Sequence, residues 1–160
     1  MNSQFANRNG PLIHGKDAQF LVEKITREKI FESLFWKEHC FSLDLYGLIE
    51  KTISKCQYIG GICGTTRPAP FLCLTLKLLQ LRPELDIILE MLKFPQFKYL
   101  KCLALFYTRL TQDSKQVYQI LEPFLNDYSR LRMQLEDGTF TLIHMDEFVD
   151  QLLSQERVCG

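Results

Sequence analysis

The sequence has no excess of charge of either sign, because 19 Lys and Arg residues balance 19 Asp and Glu residues over 160 positions. A strong net charge is what attracts a protein to nucleic acid or to an anionic membrane over long distances. Net charge therefore supports neither class of ligand here. Direct RNA binding through a local basic face remains an alternative, because a balanced chain can still group its basic side chains.

Closely spaced cysteine pairs and a secretory signal pattern are also missing. The cysteines are scattered along the chain at Cys40, Cys56, Cys63, Cys73, Cys102 and Cys159. Most of them lie inside apolar helical patterns, which predicts small buried side chains in a reducing compartment instead of disulfides.

No hydrophobic run is long enough to suggest a membrane span. The most apolar run, residues 71–81, is interrupted by Thr75, Lys77 and Gln80. It also falls short of the roughly 20 residues that a membrane helix needs. We therefore expect a soluble nuclear or cytosolic protein with no membrane contact.

Chain length favours one domain, because a chain of this size can bury one sizeable core but not two. The first dozen residues are polar and contain Asn, Gly and Pro. We predict a flexible N-terminal segment at 1–12 and a helical domain at 13–160.

The hydrophobic pattern predicts a mostly α, single-domain compact bundle with central helices near 71–81 and 97–110. The first of these is apolar on nearly every side, which is typical of a helix in the middle of a bundle. Pro70 fits its first turn, where a missing amide costs no hydrogen bond. Shorter patterns predict further helices at 18–33, 43–56, 84–92, 113–125 and 146–155. The helix at 113–125 should stop near Pro123. The residues expected to be buried are Ala18, Leu21, Val22 and Ile25 in the first of these helices and Leu45, Ile49, Ile53 and Cys56 in the second.

One β-hairpin is predicted near 131–143. Apolar residues alternate with polar ones on both sides of Asp137-Gly138. A two-residue Asp-Gly turn would pair Leu135 with Phe140 and Met133 with Leu142, placing the apolar side chains on one face. We expect that face to pack on the helices, since an isolated hairpin is marginally stable.

The segment 58–70 is rich in Gly and Pro and leads directly into the first central helix. Glycine-rich loops before helices can bind phosphate through backbone amides. Here no Gly-Lys-Ser/Thr follows, no strand pattern precedes the loop, and two prolines remove amides. A structural or partner-binding loop is favoured, with Gly60, Gly61, Arg67 and Pro68 as candidate protein-binding residues.

Catalytic and metal-binding patterns are weak, and we predict neither an enzyme nor a cofactor. His39 precedes Cys40, but neighbouring side chains on a helix point about 100° apart, a poor arrangement for a base and its nucleophile. A cysteine-dependent enzyme using Cys40 is a distant alternative. A zinc site drawn from His39, Cys40, Cys56 and Cys63 is another, although structural zinc usually uses closely spaced pairs.

Several predicted surface residues combine a positive charge with a neighbouring aromatic ring, a composition that interfaces favour. They are Arg67, Lys98, Tyr99, Lys101, Arg109, Tyr128 and Arg130. The alternative interpretation is an ordinary solvated face. From this group, Tyr99, Arg109, Tyr128 and Arg130 join the loop residues as candidates for protein binding.

A succession of short motifs resembles the pre-mRNA-splicing factor 38 family in one order over nearly the whole chain. The motifs are Ile13-His14-Gly15, Leu21-Val22-Glu23-Lys24-Ile25, Trp36-Lys37-Glu38, Gly60-Gly61 with Gly64, Pro68-Ala69-Pro70-Phe71-Leu72-Cys73-Leu74-Thr75-Leu76-Lys77, Phe97-Lys98-Tyr99, Arg109-Leu110-Thr111, Leu121-Glu122-Pro123, Asn126-Asp127-Tyr128, Asp146-Glu147-Phe148 and Glu156-Arg157-Val158-Cys159.

This resemblance implies a helical amino-terminal domain with a small β-hairpin, which agrees with the pattern-based prediction. It also implies a nuclear, non-enzymatic scaffold of the tri-snRNP and precatalytic spliceosome that is required for spliceosome activation. The implied partners are a zinc-finger snRNP protein, an elongated helical splicing protein and other tri-snRNP components. We expect a monomer within that large ribonucleoprotein, and contact with RNA there stays open.

Overall fold

The computed structural model describes residues 17–155, so the predicted flexible segment 1–12 and both ends of the predicted 13–160 domain lie outside the described residues. The helices are α1 (Lys24–Glu32), α2 (Leu45–Lys55), α3 (Pro70–Leu81), α4 (Leu85–Met91), α5 (Lys98–Thr111), α6 (Ser114–Leu121) and α7 (Met145–Ser154). The antiparallel strand pairs are β1 (Ile62–Cys63) with β2 (Arg67–Pro68) and β3 (Arg130–Gln134) with β4 (Phe140–His144). Short 3-10 turns cover Ala18–Leu21 and Glu122–Asn126, and a π-helical turn covers Trp36–Cys40.

Helices α3 and α5 form the centre of the bundle. Every residue of α3 from Phe71 to Gln80 is buried, so this helix has no solvent face over that stretch. Helix α3 packs on α1, α2 and α5, while α5 also packs on α2, α4, α6 and α7. The Phe71 ring stacks on Phe106 with centroids 5.6 Å apart and meets Phe148 of α7 edge-on at 6.4 Å. The predicted mostly α bundle with these two central helices is confirmed.

Prolines set two helix boundaries as predicted. Helix α3 begins at Pro70, whose absent N–H would have no partner in the first turn. Helix α6 starts after Asp113, whose carboxylate accepts a hydrogen bond from the Gln116 amide at 2.9 Å. It ends at Leu121, where the 3-10 turn containing Pro123 begins.

The prediction of one continuous helix over 18–33 is wrong. The first 3-10 turn is separated from α1 by Val22 and Glu23, which have extended backbones with ψ values of 133° and 147°. These two residues change the chain direction, so the predicted apolar stripe is not on one face. Ala18 is fully buried, whereas Ile25 is 65 % exposed.

The face that α2 buries agrees only in part with the predicted one. Of the four residues expected inside, Cys56 is buried, Ile53 is 41 % exposed and the other two are partly buried against the core. Leu48 and Thr52, which were not predicted, are buried. The Thr52 hydroxyl donates a hydrogen bond to the Leu48 carbonyl at 2.8 Å, which satisfies the polar group inside the core. A search for apolar periodicity misses such a position because it counts threonine as polar.

Strands β3 and β4 confirm a hairpin at the predicted place, but its predicted register is wrong by one residue. The observed pairs are Arg130–His144, Leu131–Ile143, Arg132–Leu142, Met133–Thr141 and Gln134–Phe140. Phe140 therefore lies opposite Gln134 and not Leu135. Because side chains alternate between the two faces of a strand, a shift of one residue in one strand reverses which of its residues face the core.

A three-residue loop accounts for the shift. The Leu135 amide donates to the Thr139 carbonyl at 2.8 Å, which leaves Glu136, Asp137 and Gly138 in the loop. Gly138 has a φ of +89°, as the last position of such loops often requires. The Asp137 carboxylate accepts bonds from the Thr139 amide at 2.9 Å and its hydroxyl at 2.6 Å, which fixes this geometry.

The two faces of the hairpin differ in burial as a result. Leu131 and Ile143, which are paired with each other, are 0 % and 6 % exposed. Phe140 and Leu142 lie on the opposite face and are 44 % and 56 % exposed. The hairpin therefore presents apolar side chains to solvent that the sequence pattern had assigned to the core.

Candidate partner-binding surfaces

The glycine-rich segment 58–70 forms a second small strand pair that the sequence pattern did not predict. Strand β1 pairs with β2, and the turn between them begins at Gly64, which has a φ of +62°. Strands of two residues are too short to show an alternating pattern. The prediction of a shaped loop leading into α3 is confirmed, and its strand pairing is new.

Backbone hydrogen bonds hold this loop against β3. The Ile59 amide donates to the Arg132 carbonyl at 2.9 Å, and the Gln134 amide donates to the Ile59 carbonyl at 2.9 Å. A Cβ atom on Gly60 would lie 3.3 Å from the Gln134 Cβ, so a side chain there would require the loop or the strand to shift by a few tenths of an ångström. Gly60 thus permits close approach of loop and hairpin.

Two further loop amides are also used within the protein. Gly64 donates to the Glu136 carbonyl at 2.7 Å, and Ala69 donates to the Gly61 carbonyl at 2.8 Å. A phosphate-binding loop instead directs several amides toward an open anion site. The observed bonds argue against phosphate binding and give Gly60 and Gly61 a structural part in shaping the loop.

An open pocket of about 330 Å³ adjoins the outer side of the loop. Arg67 and Pro68 line it together with Leu34, Tyr58 and Cys63. Leu34 is 68 % exposed, which makes it a prominent apolar side chain beside the pocket. The structure therefore places two of the predicted loop residues at an accessible surface.

The N-terminal end of α5 is bonded to β3. The Arg132 amide donates to the Tyr99 hydroxyl at 2.9 Å, and the Lys98 ammonium donates to the Arg130 carbonyl at 2.6 Å. Burial raises the pKa of Tyr99 above its usual value, which keeps the hydroxyl protonated. Tyr99 and Arg130, predicted as binding residues, are thus neighbours in the structure.

A partly buried ion pair supports the same end of α5. The Lys101 ammonium lies 2.8 Å from the Asp127 carboxylate, with side chains 6 % and 21 % exposed. The Ser129 amide and hydroxyl also donate to that carboxylate, at 2.9 and 2.5 Å. Burial alone would raise the pKa of Asp127, but the hydrogen bonds from Lys101 and Ser129 lower it below the usual value.

Tyr128 lies between Asp127 and Ser129 in the sequence, and its side chain is 67 % exposed. The predicted residues in β3, beside it and in the loop bonded to it are Arg67, Pro68, Tyr99, Tyr128 and Arg130, and we call them the loop–hairpin surface. The sequence did not indicate the polar contacts of Lys98, Tyr99 and Lys101 that hold this surface, because they join residues 26 to 33 positions apart.

Arg109 lies apart from the other candidates. Ten residues of α5 separate it from Tyr99, which is about 15 Å along a helix axis. Its guanidinium donates to the Gln155 carbonyl at 2.6 Å. Beside it, Val117, Tyr118, Leu152 and Leu153 line an open groove of about 280 Å³, which we call the α5–α7 groove. The proposed binding residues therefore form two surfaces.

The structure argues against a thiol nucleophile at Cys40. The side chain is fully buried, and this burial raises the pKa of the Cys40 thiol far above its usual value. The thiolate, which is the nucleophilic form, is therefore scarce at neutral pH. His39 instead has its Nδ1 atom 3.5 Å from the Lys51 ammonium.

The alternative of a zinc site is not supported by the described part of the chain. Between residues 17 and 155, no three His, Cys, Asp or Glu side chains are grouped in a way that could hold a metal ion. Over the same range, no helix combines the length and apolar character needed to cross a membrane.

Comparison with known proteins places these features in one family. A model of the PRP38 family matches residues 12–160. Pre-mRNA-splicing factor 38A of Xenopus laevis is 49 % identical over 148 residues, covering 92 % of this chain and 47 % of that protein. The Homo sapiens protein of that name is 48 % identical over the same lengths. The chain thus spans about half the length of the curated relatives it matches.

A solved structure has the same fold. A chain in the crystal structure of the Snu23–Prp38–MFAP1(217–258) complex of Chaetomium thermophilum is 47 % identical and superposes with a TM-score of 0.88. The match covers 94 % of this chain and 79 % of the solved one. With a family model matching almost its whole length and relatives near 50 % identity, this chain belongs to the PRP38 family.

Proposed function

We propose that this chain is a non-enzymatic scaffold domain of the spliceosome that docks partner proteins in the tri-snRNP and precatalytic complex and is required for spliceosome activation. The observation that carries the proposal is the near-50 % identity to Pre-mRNA-splicing factor 38A over 92 % of the chain. Such a domain acts in the nucleus, as one copy within a large ribonucleoprotein.

The proposed partners are a zinc-finger snRNP protein, an elongated helical splicing protein and other tri-snRNP components. In support, the similar solved structure is a complex of Prp38 with Snu23 and a segment of MFAP1. We propose that this chain binds the corresponding proteins of its own organism. Its fold is close enough to present comparable surfaces, given the TM-score of 0.88.

Two separate surfaces suit a scaffold. The loop–hairpin surface carries exposed basic and aromatic side chains on a backbone tied together by hydrogen bonds. The α5–α7 groove is lined by Val117 and Leu152 together with the polar side chains of Arg109, Gln112 and Ser114. Because they lie at opposite ends of α5, we propose that one domain holds two partners at the same time.

Affinity purification of the tagged chain from nuclear extract, followed by mass spectrometry, tests the proposed process and partners together. We expect tri-snRNP and precatalytic spliceosome proteins to be recovered. Recovery of none of them would contradict the proposed function. A salt titration of the purified chain against single-stranded and duplex RNA tests the RNA-binding alternative, which predicts affinity that falls steeply with salt.

Charge reversal separates the two surfaces. Arg130→Glu alters the loop–hairpin surface but leaves the backbone carbonyl that Lys98 contacts, and Arg109→Glu alters the α5–α7 groove. We expect each variant to lose a different protein from the pull-down while the circular-dichroism melt stays nearly unchanged. Undiminished recovery of every partner would remove the altered surface from the proposal.

A further inference from the structure

The two edges of the β3–β4 hairpin differ in how their backbone groups are bonded. On the outer edge of β3, the Arg132 amide donates to Tyr99 and the Arg132 carbonyl accepts from Ile59. The Gln134 amide donates to the Ile59 carbonyl. The segment around Ile59 and the start of α5 therefore cover this edge.

Among residues 17–155, the outer edge of β4 is covered only at its last residue, where the His144 amide donates to the Glu147 carboxylate at 3.2 Å. Phe140 and Leu142 lie directly opposite Gln134 and Arg132, whose amides point away from β4. In an antiparallel pair, residues opposite each other both turn their backbone groups inward or both turn them outward. The amides and carbonyls of Phe140 and Leu142 therefore point outward, and no residue within 17–155 bonds to them.

Strand β4 also lacks the features that usually protect an exposed edge. Natural edge strands are blunted by lysine, proline, bulges or a covering element. The sequence of β4 is Phe-Thr-Leu-Ile-His, with no lysine, proline or carboxylate. Phe140 and Leu142 are 44 % and 56 % exposed on the face away from the core. The edge thus offers backbone partners beside apolar side chains.

The charge on the exposed face identifies the kind of segment that fits. Arg130, Arg132, Phe140 and Leu142 share this face, and neither strand contributes a carboxylate. The Glu147 carboxylate adjoins the end of β4, where it is bonded to the His144 amide and ring. The Arg132 guanidinium lies over β4, 4.5 Å from the centre of the Phe140 ring. A strand added beside β4 would run about 4.8 Å away, which brings an acidic side chain on it within reach of Arg132.

We propose that the free edge of β4 binds an extended segment of a partner protein, with alternating apolar and acidic residues, as a third strand of the hairpin sheet. Strand addition of this kind combines main-chain hydrogen bonds with selection by alternate side chains. A second copy of this chain fits less well, because its own arginines would meet those of the first copy. The proposal goes beyond the splicing role and does not depend on it.

Amide hydrogen exchange and chemical shifts of the purified protein test the proposal with two short capped peptides, one alternating Val with Glu and one alternating Val with Lys. We expect the Val/Glu peptide to protect the Phe140 and Leu142 amides and the Val/Lys peptide to leave them unprotected. No protection by the acidic peptide at millimolar concentration would overturn the proposal. Equal protection by both peptides would overturn the assigned charge of the partner.

Three variants sharpen the test. Leu142→Pro removes an outward amide that β3 does not use, and should weaken binding of the Val/Glu peptide about tenfold, the effect of losing one backbone hydrogen bond. Leu142→Thr is the matched control because it keeps the amide, so it should retain more affinity than the proline variant. Arg132→Gln should weaken the Val/Glu peptide several-fold, and it decides the question if Leu142→Pro fails to fold.

Self-association is measured in parallel by sedimentation. Protection of Phe140 and Leu142 that rises with protein concentration in the absence of peptide would identify a second copy as the occupant and overturn the proposed partner. A constant monomer mass together with protection by the acidic peptide supports the proposal.

Discussion

The two ends of α5 are built in different ways. At the N-terminal end, Tyr99 and Lys101 make short polar contacts to the hairpin and to the residues that lead into it, at 2.9 and 2.8 Å. At the C-terminal end, the Arg109 guanidinium donates to the Gln155 carbonyl at 2.6 Å, and Val117, Leu152 and polar residues line the open groove beside it.

This difference separates two ways of presenting a surface. Polar contacts at the first end fix the position of a small sheet that could not stay folded alone. The groove at the second end is open and is lined by polar as well as apolar side chains, so it is suited to a partner that contacts both kinds. Removing a contact should therefore cost stability at the first end and mainly binding at the second.

The largest effect is expected from Lys101→Met. It leaves the Asp127 carboxylate, only 21 % exposed, without its cation. Removing one partner of a buried ion pair destabilises strongly, and because Asp127 keeps some solvent and the Ser129 bonds, we expect a loss of about 2–3 kcal/mol in unfolding free energy. Urea denaturation followed by circular dichroism measures it.

The matched control for that variant is Lys101→Met combined with Asp127→Asn. Asparagine is uncharged and its side-chain oxygen still accepts from Ser129, so part of the lost stability should return. If the double variant is less stable than Lys101→Met alone, the unpaired charge is not the cause of the loss.

A smaller effect is expected from acid. The pKa of Asp127 is lowered in the folded protein, so the stability it provides is complete above the unfolded value of about 3.9. That stability is lost as the pH falls from there through the lowered folded-state pKa. Urea midpoints of wild type and Asp127→Asn should therefore converge below about pH 4. A constant difference between pH 7 and pH 3 would contradict the assigned ion pair.

The sequence allowed the centre of the fold and the position of the hairpin to be predicted, but not the register of the hairpin. Helix α3 is buried on all sides, so a small error in the predicted direction of its apolar face changes nothing, and its bounds are within one residue of the prediction. The hairpin depends on a single choice between a two-residue and a three-residue loop. Hydrogen bonds from Thr139 to Asp137 stabilise the three-residue loop. The resulting register places Phe140 and Leu142 on the exposed face of the hairpin.

The sequence allowed the types of residue on the two surfaces to be predicted, but not which of those residues lie together. The pattern of arginine and tyrosine selected Tyr99, Arg109 and Arg130 together, although Arg109 lies at the other end of the helix. Contacts such as Lys101 with Asp127 and Ile59 with Arg132 join residues 26 and 73 positions apart, so local periodicity contains no information about them.

Removing the Tyr99 hydroxyl tests a single hydrogen bond at the N-terminal end of α5. Tyr99→Phe leaves the Arg132 amide without its acceptor at 2.9 Å. We expect a loss of about 1 kcal/mol, the usual net value of one hydrogen bond. Hydrogen exchange of the Arg132 amide should accelerate by about the same free energy. An unchanged exchange rate would show that the hydroxyl does not hold the strand.

The smallest effect is expected from the same change at the open end, Tyr118→Phe. Tyr118 is 53 % exposed, and its hydroxyl makes only a long contact of 3.5 Å with the Glu122 carboxylate. Exposed substitutions of this kind usually change stability by less than about 0.5 kcal/mol, so its urea midpoint should match wild type while that of Tyr99→Phe falls. If both variants lose equal stability, the two ends of α5 are held alike and the contrast between a fixed sheet and an open groove fails.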